Sequence, residues 1–460
     1  MLKSKIYKNS PVFIQNSLLT ARGFMYKVLR ESGAFRSMLS ELEQTQHYTD
    51  SEMQEWQNER LVRLVRHAYE NVPYYNRLFK KMKLLPGDIK NAEDLKKLPF
   101  LTKEDVRVNI NDITAKNIKK AFVEKTSTSG SSGKPLTLYR DIYSVVFENA
   151  LLWRQRRWIG VDMTDRIAVL RSEQIVPFEA EKPPFWRYSV SEKRLLLSSY
   201  HLRRNNAEYY IEALNRFKPA AIFAIPGVIY ALAKLAEEEG LLPFIFSVKA
   251  VFTSSDMIRP GYKETIERTF GGAIYDLYGS TERAAAIGMC EYKTYHVFPE
   301  NGIIEFVPVS NGSGAMEIVG TNLHNYVMPL LRYRTGDLAE ISSTPCRCGR
   351  CFTAVKKMQG RIADFMVSRS GVILMEGSYL LLKGVENIVE SQIIQEDIER
   401  IKVKFIPADN FSERDRNKII ENAKFYLGPG VHVVFEEVED IRKQGFCKFR
   451  PFISHINNIR

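Results

Sequence analysis

The sequence predicts an α/β protein in two parts, a large multi-layered N-terminal portion and a small, mobile α+β C-terminal one. Three observations carry this expectation. Between residues 120 and 345, short β-rich runs at 166–170, 221–225 and 248–252 alternate with stretches of helical period. From Gly360 the texture changes to β runs at 403–406 and 431–435 with a charged helical stretch, 413–426, between them, which places a boundary between 1–359 and 360–460. A chain of 460 residues with 45% hydrophobic content can also bury cores for two or three domains.

The first 36 residues hold seven Lys/Arg against the single Glu31, half of the net charge of +12. Leu18-Leu19, Phe24-Met25 and Val28-Leu29 recur there at roughly helical intervals. Such a segment either makes a peripheral contact with an anionic membrane surface or packs its apolar side on the main domain. Nucleic acid is a poor fit, because no recognisable motif is present and the basic residues elsewhere are interspersed with acids. Residues 50–85 read as helical, with Leu61, Leu64, Val65 and Ala68 on one face and Pro73 as the stop. The longest apolar stretch, 220–236, is broken by Pro226-Gly227 and carries Lys234. It falls short of the ~20 residues of a membrane span and reads as a buried strand, a turn and a core helix. The charged start lacks the apolar run of a signal peptide, and five cysteines argue against a disulfide scaffold and for a reducing cytoplasm.

Residues 126–134 read Thr-Ser-Thr-Ser-Gly-Ser-Ser-Gly-Lys. Glycines let a backbone turn its N–H groups inward, hydroxyls add short donors, and Lys134 adds a cation, so Thr128, Ser129, Gly130, Ser131, Ser132, Gly133 and Lys134 suit a polyphosphate. This is not a Walker loop: its glycines are too close together and Pro135 follows the lysine. The alternating Leu-Thr-Leu-Tyr beyond the proline places the loop between two strands. A flexible Ser/Gly linker is the competing reading of this segment taken alone.

Two further segments, Tyr278-Gly-Ser-Thr-Glu282 and Tyr333-Arg-Thr-Gly-Asp337, follow in order, and with the hydroxyl loop they resemble the nucleotide site of the adenylate-forming superfamily. Gly360-Arg361-Ile-Ala-Asp364 and Gln444-Gly-Phe-Cys-Lys448-Phe-Arg450 extend the resemblance, and Arg66-His-Ala-Tyr-Glu-Asn-Val-Pro-Tyr-Tyr75 looks like the opening of the phenylacetate-CoA ligase branch. Ile6-Tyr7, Ser10-Pro11 and Gln392-Ile-Ile-Gln395 are similar to the subgroup associated with capsular polysaccharide loci. The matches run from about residue 5 to 455.

The resemblance implies ATP, Mg²⁺ and a small carboxylic acid as reactants. Glu282 would help hold Mg²⁺, Tyr278 would face adenine with Gly279 and Ser280 beside it, and Thr281 would reach the α-phosphate. Asp337 would accept from both ribose hydroxyls, with Arg361 near that ribose and Ser255-Asp256 lining the adenine pocket. Lys448 would bridge the acid and the α-phosphate during adenylation. Each of these has a plain structural alternative, as core aromatic, turn former or surface charge. In similar proteins the small domain rotates between the two half-reactions, on a hinge residue two places after the motif arginine. Here that place is Ala363, with Asp364 one further on.

Cys290 with His296, and Cys346-Arg-Cys348-Gly-Arg-Cys351, offer enough ligands for a closed Cys₃His zinc site. Similar sequences carry a Cys-His pair and a Cys-x-Cys turn at these places, which implies Cys290, His296, Cys346 and Cys348. Cys351 could replace Cys346 or His296, and buried free thiols with a surface histidine are the alternative. The reading as a whole is an AMP-forming ligase delivering an acyl group to CoA or to another thiol or amine, with a role in decorating a surface glycan. The contrasting class is a catalytically silent relative that binds nucleotide or glycan precursor as an assembly factor.

Overall fold

The computed structural model describes residues 5–30, 33–119, 122–127, 136–171, 173–241, 246–309, 315–361, 366–368, 373–374, 377–385, 387–441 and 452–456. Its strands are β1 (Val123–Ser127), β2 (Thr137–Asp141), β3 (Ile167–Arg171), β4 (Trp186–Ser189), β5 (Arg194–Ser198), β6 (Ala221–Ala224), β7 (Ala250–Ser254), β8 (Ala273–Gly279), β9 (Ala286–Met289), β10 (Tyr295–Val297), β11 (Gly302–Pro308), β12 (Met316–Asn322), β13 (Tyr333–Ile341), β14 (Ala354–Arg361), β15 (Met366–Val367), β16 (Ile373–Leu374), β17 (Ile388–Gln395), β18 (Arg400–Pro407), β19 (His432–Glu437) and β20 (Phe452–Ser454). Twelve of them form one sheet in the order β11-β12-β13-β14-β10-β9-β8-β7-β6-β3-β5-β4.

The run β8-β7-β6-β3-β5 within this sheet is parallel, and antiparallel strands extend it on both sides. Parallel strands covered on both faces need apolar residues on both, which is why β3, β6 and β7 were legible as apolar runs. Ile222, Ala224, Val251 and Ile274 pack against the helices Ala207–Phe217, Pro226–Glu238 and Tyr262–Phe270. Phe223, Phe252 and Tyr275 face the other way, towards the helix Ile142–Trp158 and its Trp153.

Two sequence expectations need correction in detail. Pro73 does end the helix Asp50–Asn71, but it also starts a second helix, Pro73–Met82, at the position where its missing N–H has no partner to lose. Leu61, Leu64, Val65 and Ala68 are all buried, as their spacing predicts. In the 220–236 stretch there is no separate turn, because Pro226 opens the helix directly after β6.

The basic N-terminal segment forms the helix Val12–Arg30, which docks on the edge strand β4. Asn16 Oδ1 accepts from the Tyr188 amide at 3.0 Å and Thr20 Oγ1 from the Val190 amide at 3.1 Å. Two residues one helical turn apart thus satisfy the outward N–H groups of an edge that would otherwise invite pairing. Gly23 permits the approach, since a Cβ there would come within 2.5 Å of the Glu192 carboxylate. Tyr7 donates its hydroxyl to the Ile175 carbonyl at 2.7 Å, and Leu19 is buried with Ile175, Val176 and Leu196. The apolar side therefore packs on the main body, while Phe13 (69%) and Phe24 (63%), with Met25 and Val28, remain exposed on the outer side. No helix among the described residues is long and apolar enough to cross a membrane.

Beyond β14, a four-stranded sheet in the order β19-β18-β17-β20 is covered by the helix Glu413–Leu427. Ile419, Ala423 and Leu427 of that helix bury against Ile393, Val403 and Phe405. Ser412 starts it with a capping box, its hydroxyl donating to Asp415 Oδ2 at 2.8 Å.

Candidate active site

Loops at the C-terminal ends of parallel strands converge on one crevice in sheets of this kind. Here β3 ends at Arg171, β7 at Ser254 and β8 at Gly279. The segment 278–282 leaves β8 and the segment 333–337 opens β13, and the fold brings them side by side. Tyr278 donates its hydroxyl to Asp337 Oδ2 at 2.7 Å, and Tyr333 donates its hydroxyl to Glu282 Oε1 at 3.0 Å. Each segment supplies a tyrosine to orient the other's carboxylate.

Asp337 is buried, and its turn is built by Gly336 at φ 71°. The Asp337 amide donates to Thr335 Oγ1 at 3.0 Å, and that hydroxyl donates to the Ile318 carbonyl at 2.7 Å. Arg361 pairs with Asp337 in the β13–β14 register, so the Gly-Arg motif lies across from the turn. Gly279 closes β8 opposite Ala286, and the buried Ser280 Oγ has no hydrogen-bond partner among the described residues. Ser255 takes a left-handed φ of 78°, a strained conformation for serine, and Asp256 Oδ1 accepts from the Met257 amide at 2.8 Å.

Cations around these carboxylates were not singled out from the sequence. Arg140, in β2, donates to the Thr281 carbonyl and lies 3.7 Å from Glu124. Arg283 pairs with Glu148 and donates to the Ser144 carbonyl at 3.2 Å. Burial first, and the proximity of Arg283 second, hold the Arg140 guanidinium below its usual range. The available signal was adjacency: Arg140 follows the hydroxyl loop closely and Arg283 follows Glu282 directly.

Thr128, Ser129, Gly130, Ser131, Ser132, Gly133 and Lys134, the hinge candidates Ala363 and Asp364, and Lys448 lie outside the described residues. On either side of the hydroxyl loop, β1 and β2 pair antiparallel up to Ser127 opposite Thr137, so the loop joins two strands as expected.

A second cluster lies where β9, β10 and the β13–β14 connection meet. The ligand atoms of Cys290, His296, Cys346 and Cys348 all fall within 4.8 Å of one another. The Cys290–Cys346 Sγ separation is 3.7 Å and Cys348 Sγ is 3.4 Å from His296 Nε2. Tetrahedral zinc with its usual bond lengths sets S···S near ~3.8 Å and S···N near ~3.5 Å, so the donor set fits. His296 Nδ1 donates to the Phe352 carbonyl at 3.0 Å, which turns Nε2 towards the thiols. Burial pushes the Cys290 thiol up to about 12. Burial opposes ionisation of Cys346 as well, but hydrogen bonds from Thr294 and the Cys348 amide outweigh it and bring that thiol down to about 6. Cys351 is not in the cluster; it packs against the main core, where burial raises its thiol to about 11. Four protein ligands leave no open position for substrate.

The chain is similar in sequence and in fold to several known proteins. Residues 365–455 match the family described as the CapK C-terminal domain. The chain is 27% identical over 458 residues to Protein CapK of Staphylococcus aureus, covering 98% of this chain and 99% of that one. It is 25% identical over 344 residues to phenylacetate-coenzyme A ligase of Aromatoleum evansii, covering 72% and 75%. In fold it resembles 2-hydroxyisobutyryl-CoA ligase in the postadenylation state, with a TM-score of 0.68 at 19% identity over 90% of this chain and 91% of that one. The sequence likeness and the shared fold are those of adenylate-forming enzymes of the phenylacetate-CoA ligase type. The near-complete alignment and the C-terminal match make the chain similar to CapK over nearly its whole length.

Proposed function

We propose that this chain is an ATP-dependent, AMP-forming ligase that activates a small carboxylic acid as its acyl-adenylate and passes the acyl group to CoA or to another thiol or amine. The reading is carried by one observation: segments 278–282 and 333–337 exchange a tyrosine for a carboxylate at the C-terminal ends of the parallel strands. Both reactants are anions. The acid's oxygen bonds to the α-phosphorus as the bond to pyrophosphate breaks, so the protein's task is charge neutralisation and in-line positioning. Asp337, oriented by Tyr278, accepts from the ribose, with Arg361 beside it. Tyr278, Gly279, Ser280, Ser255 and Asp256 surround the adenine. Glu282, oriented by Tyr333, takes Mg²⁺, and Thr281 meets the α-phosphate. Residues 128–134 hold the β- and γ-phosphates, while Lys448 arrives with the small domain, 360–460, when it closes on 1–359.

The acyl-adenylate and CoA parts of this reading are supported by the names of the relatives, phenylacetate-coenzyme A ligase and 2-hydroxyisobutyryl-CoA ligase. The likeness of Ile6-Tyr7, Ser10-Pro11 and Gln392-Ile-Ile-Gln395 to the subgroup associated with capsular polysaccharide loci supports a role in surface polysaccharide biosynthesis. The exposed Phe13, Phe24, Met25 and Val28 on a basic segment support a peripheral membrane contact of a cytoplasmic enzyme. The cysteine cluster supports a structural zinc. Pyrophosphate exchange over a panel of acids tests the central claim without knowledge of the acceptor. Acid-dependent exchange supports it; ATP binding with no exchange for any acid favours the silent assembly factor instead, against which the presence of Lys134, Glu282, Asp337 and Lys448 argues.

A further inference from the structure

The helix Ile142–Trp158 carries three arginines near its C-terminal end, and two of them have acidic partners. Arg154 is fully buried and paired with Glu300, which also accepts from Thr45 Oγ1 at 2.8 Å. Arg157 lies 2.7 Å from Glu43 and 3.3 Å from Asp162. Arg156 differs. Among the described residues no carboxylate lies within ion-pairing distance of it, and its guanidinium stands over the rings of Trp153 at 4.6 Å and Phe223 at 4.2 Å. Its charged neighbours are Arg194, Arg171 and Glu148, and Glu148 is already paired with Arg283. Arg171 also has no carboxylate partner among the described residues; its guanidinium donates to Ser254 Oγ and reaches Ser255 Oγ at 3.5 Å.

These groups share one side of the sheet. Side chains alternate along a strand, so Val169 and Arg171 of β3, Phe223 of β6, and Phe252 and Ser254 of β7 all face the helix that carries Arg156. Phe223 and Phe252 each keep 7% exposure, whereas Ile222 and Val251, on the opposite face, keep 1% and 0%. Arg156 itself keeps intermediate exposure. Arg171 and Ser254 stand at the C-terminal ends of β3 and β7, next to Ser255 of the candidate active site.

Two guanidiniums held close together in an interior cost free energy unless an anion joins them. For Arg332 and Arg350 the chain supplies that anion itself, as Glu305 and Glu291. Beside Arg156 and Arg171 it does not, and burial together with the neighbouring arginines presses the Arg156 guanidinium well below its usual range, a direction that a bound anion reverses.

The geometry points to an acid substrate that carries a second anionic group: its reacting carboxylate meets the nucleotide, its carbon skeleton lies on Val169, Phe223 and Phe252, and its far anion is bound by Arg156 and Arg171. Only the first carboxylate changes its bonds, so the acyl product keeps the distal charge. This inference rests on the ligase reading and names the substrate class of the same site.

The test compares dicarboxylic acids and phosphono-carboxylic acids with the half-amides that are neutral at the far end. Pyrophosphate exchange and calorimetric binding in the presence of a non-hydrolysable ATP analogue are both measured. The wild type should prefer the dianionic member of each pair, and Arg156→Met or Arg171→Gln should reduce that preference roughly tenfold to a hundredfold. Arg156→Lys should retain part of it, which separates charge recognition from a packing defect. A preference for carboxylate over phosphonate identifies the far group as a carboxylate, and the reverse identifies it as a phosphate-like group. Binding of the diacid that depends on Arg156 but is followed by no exchange would keep this inference and overturn the ligase reading. Half-amides bound as well as diacids, or equal preference in wild type and variants, would overturn the inference itself.

Discussion

The Tyr278 hydroxyl donates to Asp337 Oδ2 at 2.7 Å, joining two residues 59 positions apart across the mouth of the candidate site. The contact fixes the carboxylate before any ligand arrives, so the orienting cost is met during folding rather than binding. Tyr278→Phe keeps the ring and removes the donor. ATP-analogue affinity should fall about tenfold, the effect of one charge-assisted hydrogen bond, with thermal stability nearly unchanged. Calorimetric titration checks this, and unchanged affinity would show that the contact only braces the fold.

The Cys290–His296–Cys346–Cys348 cluster should hold about one zinc per chain. Cys351→Ser should keep the metal, whereas Cys346→Ser should lose it and lower the melting temperature, because closed sites contribute directly to folding. Elemental analysis before and after mild chelation decides the matter. Metal well below one per chain, with no loss of stability on chelation, would sink the assignment.

Lys448→Ala should abolish acid-dependent pyrophosphate release by roughly a hundredfold or more while ATP binding and fold persist. When preformed acyl-adenylate is supplied, the second half-reaction should proceed, since in similar proteins the small domain rotates between the two half-reactions. Adenylation at a normal rate would move the role to Lys443 or Lys134.

Two buried groups give stability opposite pH slopes. Asp276 accepts from Thr253 Oγ1 at 2.6 Å and Tyr295 at 2.8 Å, and burial pushes its carboxyl up to about 6. It holds a proton in the folded chain that the unfolded chain has lost, so its contribution falls as pH rises from about 4 through 6. His324 is buried against Phe147, and burial pushes it down to about 3. It stays neutral where an unfolded histidine is protonated, so its contribution is lost as pH falls below about 6.5. Between pH 7 and 5 the histidine costs about 2 kcal/mol and the aspartate offsets about 1.5 kcal/mol of that. Relative to wild type, Asp276→Asn should therefore become more acid-sensitive and His324→Gln less so, as measured by urea unfolding at the two pH values. Shifts of the same sign in both variants would refute the pairing.

The N-terminal helix has a packed face and an exposed apolar face, which can be tested separately. Asn16→Ala with Thr20→Val should lower stability by about 2 kcal/mol, since two edge-strand N–H groups lose their acceptors. Phe24→Ser with Met25→Ser should leave stability intact and weaken binding to anionic vesicles. That binding should also fall steeply with salt, because the attraction acts within about 8 Å at physiological ionic strength. Co-sedimentation with vesicles checks both points, and equal binding by the serine variant would exclude this face as the contact.

Much of the candidate site was legible because its segments are short contiguous turns. An aspartate after a glycine, as in Tyr333-Arg-Thr-Gly-Asp337, sits on a tight turn whose residue types show in the chain itself. The parallel strands were legible for a similar reason, since burial on both faces demands unbroken apolar runs such as that of β6.

What the sequence by itself determined was therefore local: which residues can turn, alternate, cap or ligate. It named Cys346, Cys348 and Cys351 together, because spacing alone allows any of them to reach a metal. Only the tertiary structure decided that Cys351 turns into the core while Cys346 and Cys348 meet Cys290 and His296. Likewise Arg154, Arg156 and Arg157 are equivalent letters on one helix. Which of them receives Glu300, Glu43 or no carboxylate depends on packing between segments far apart in the chain, and burial makes that difference matter because an unpaired charge is costly only where water is scarce.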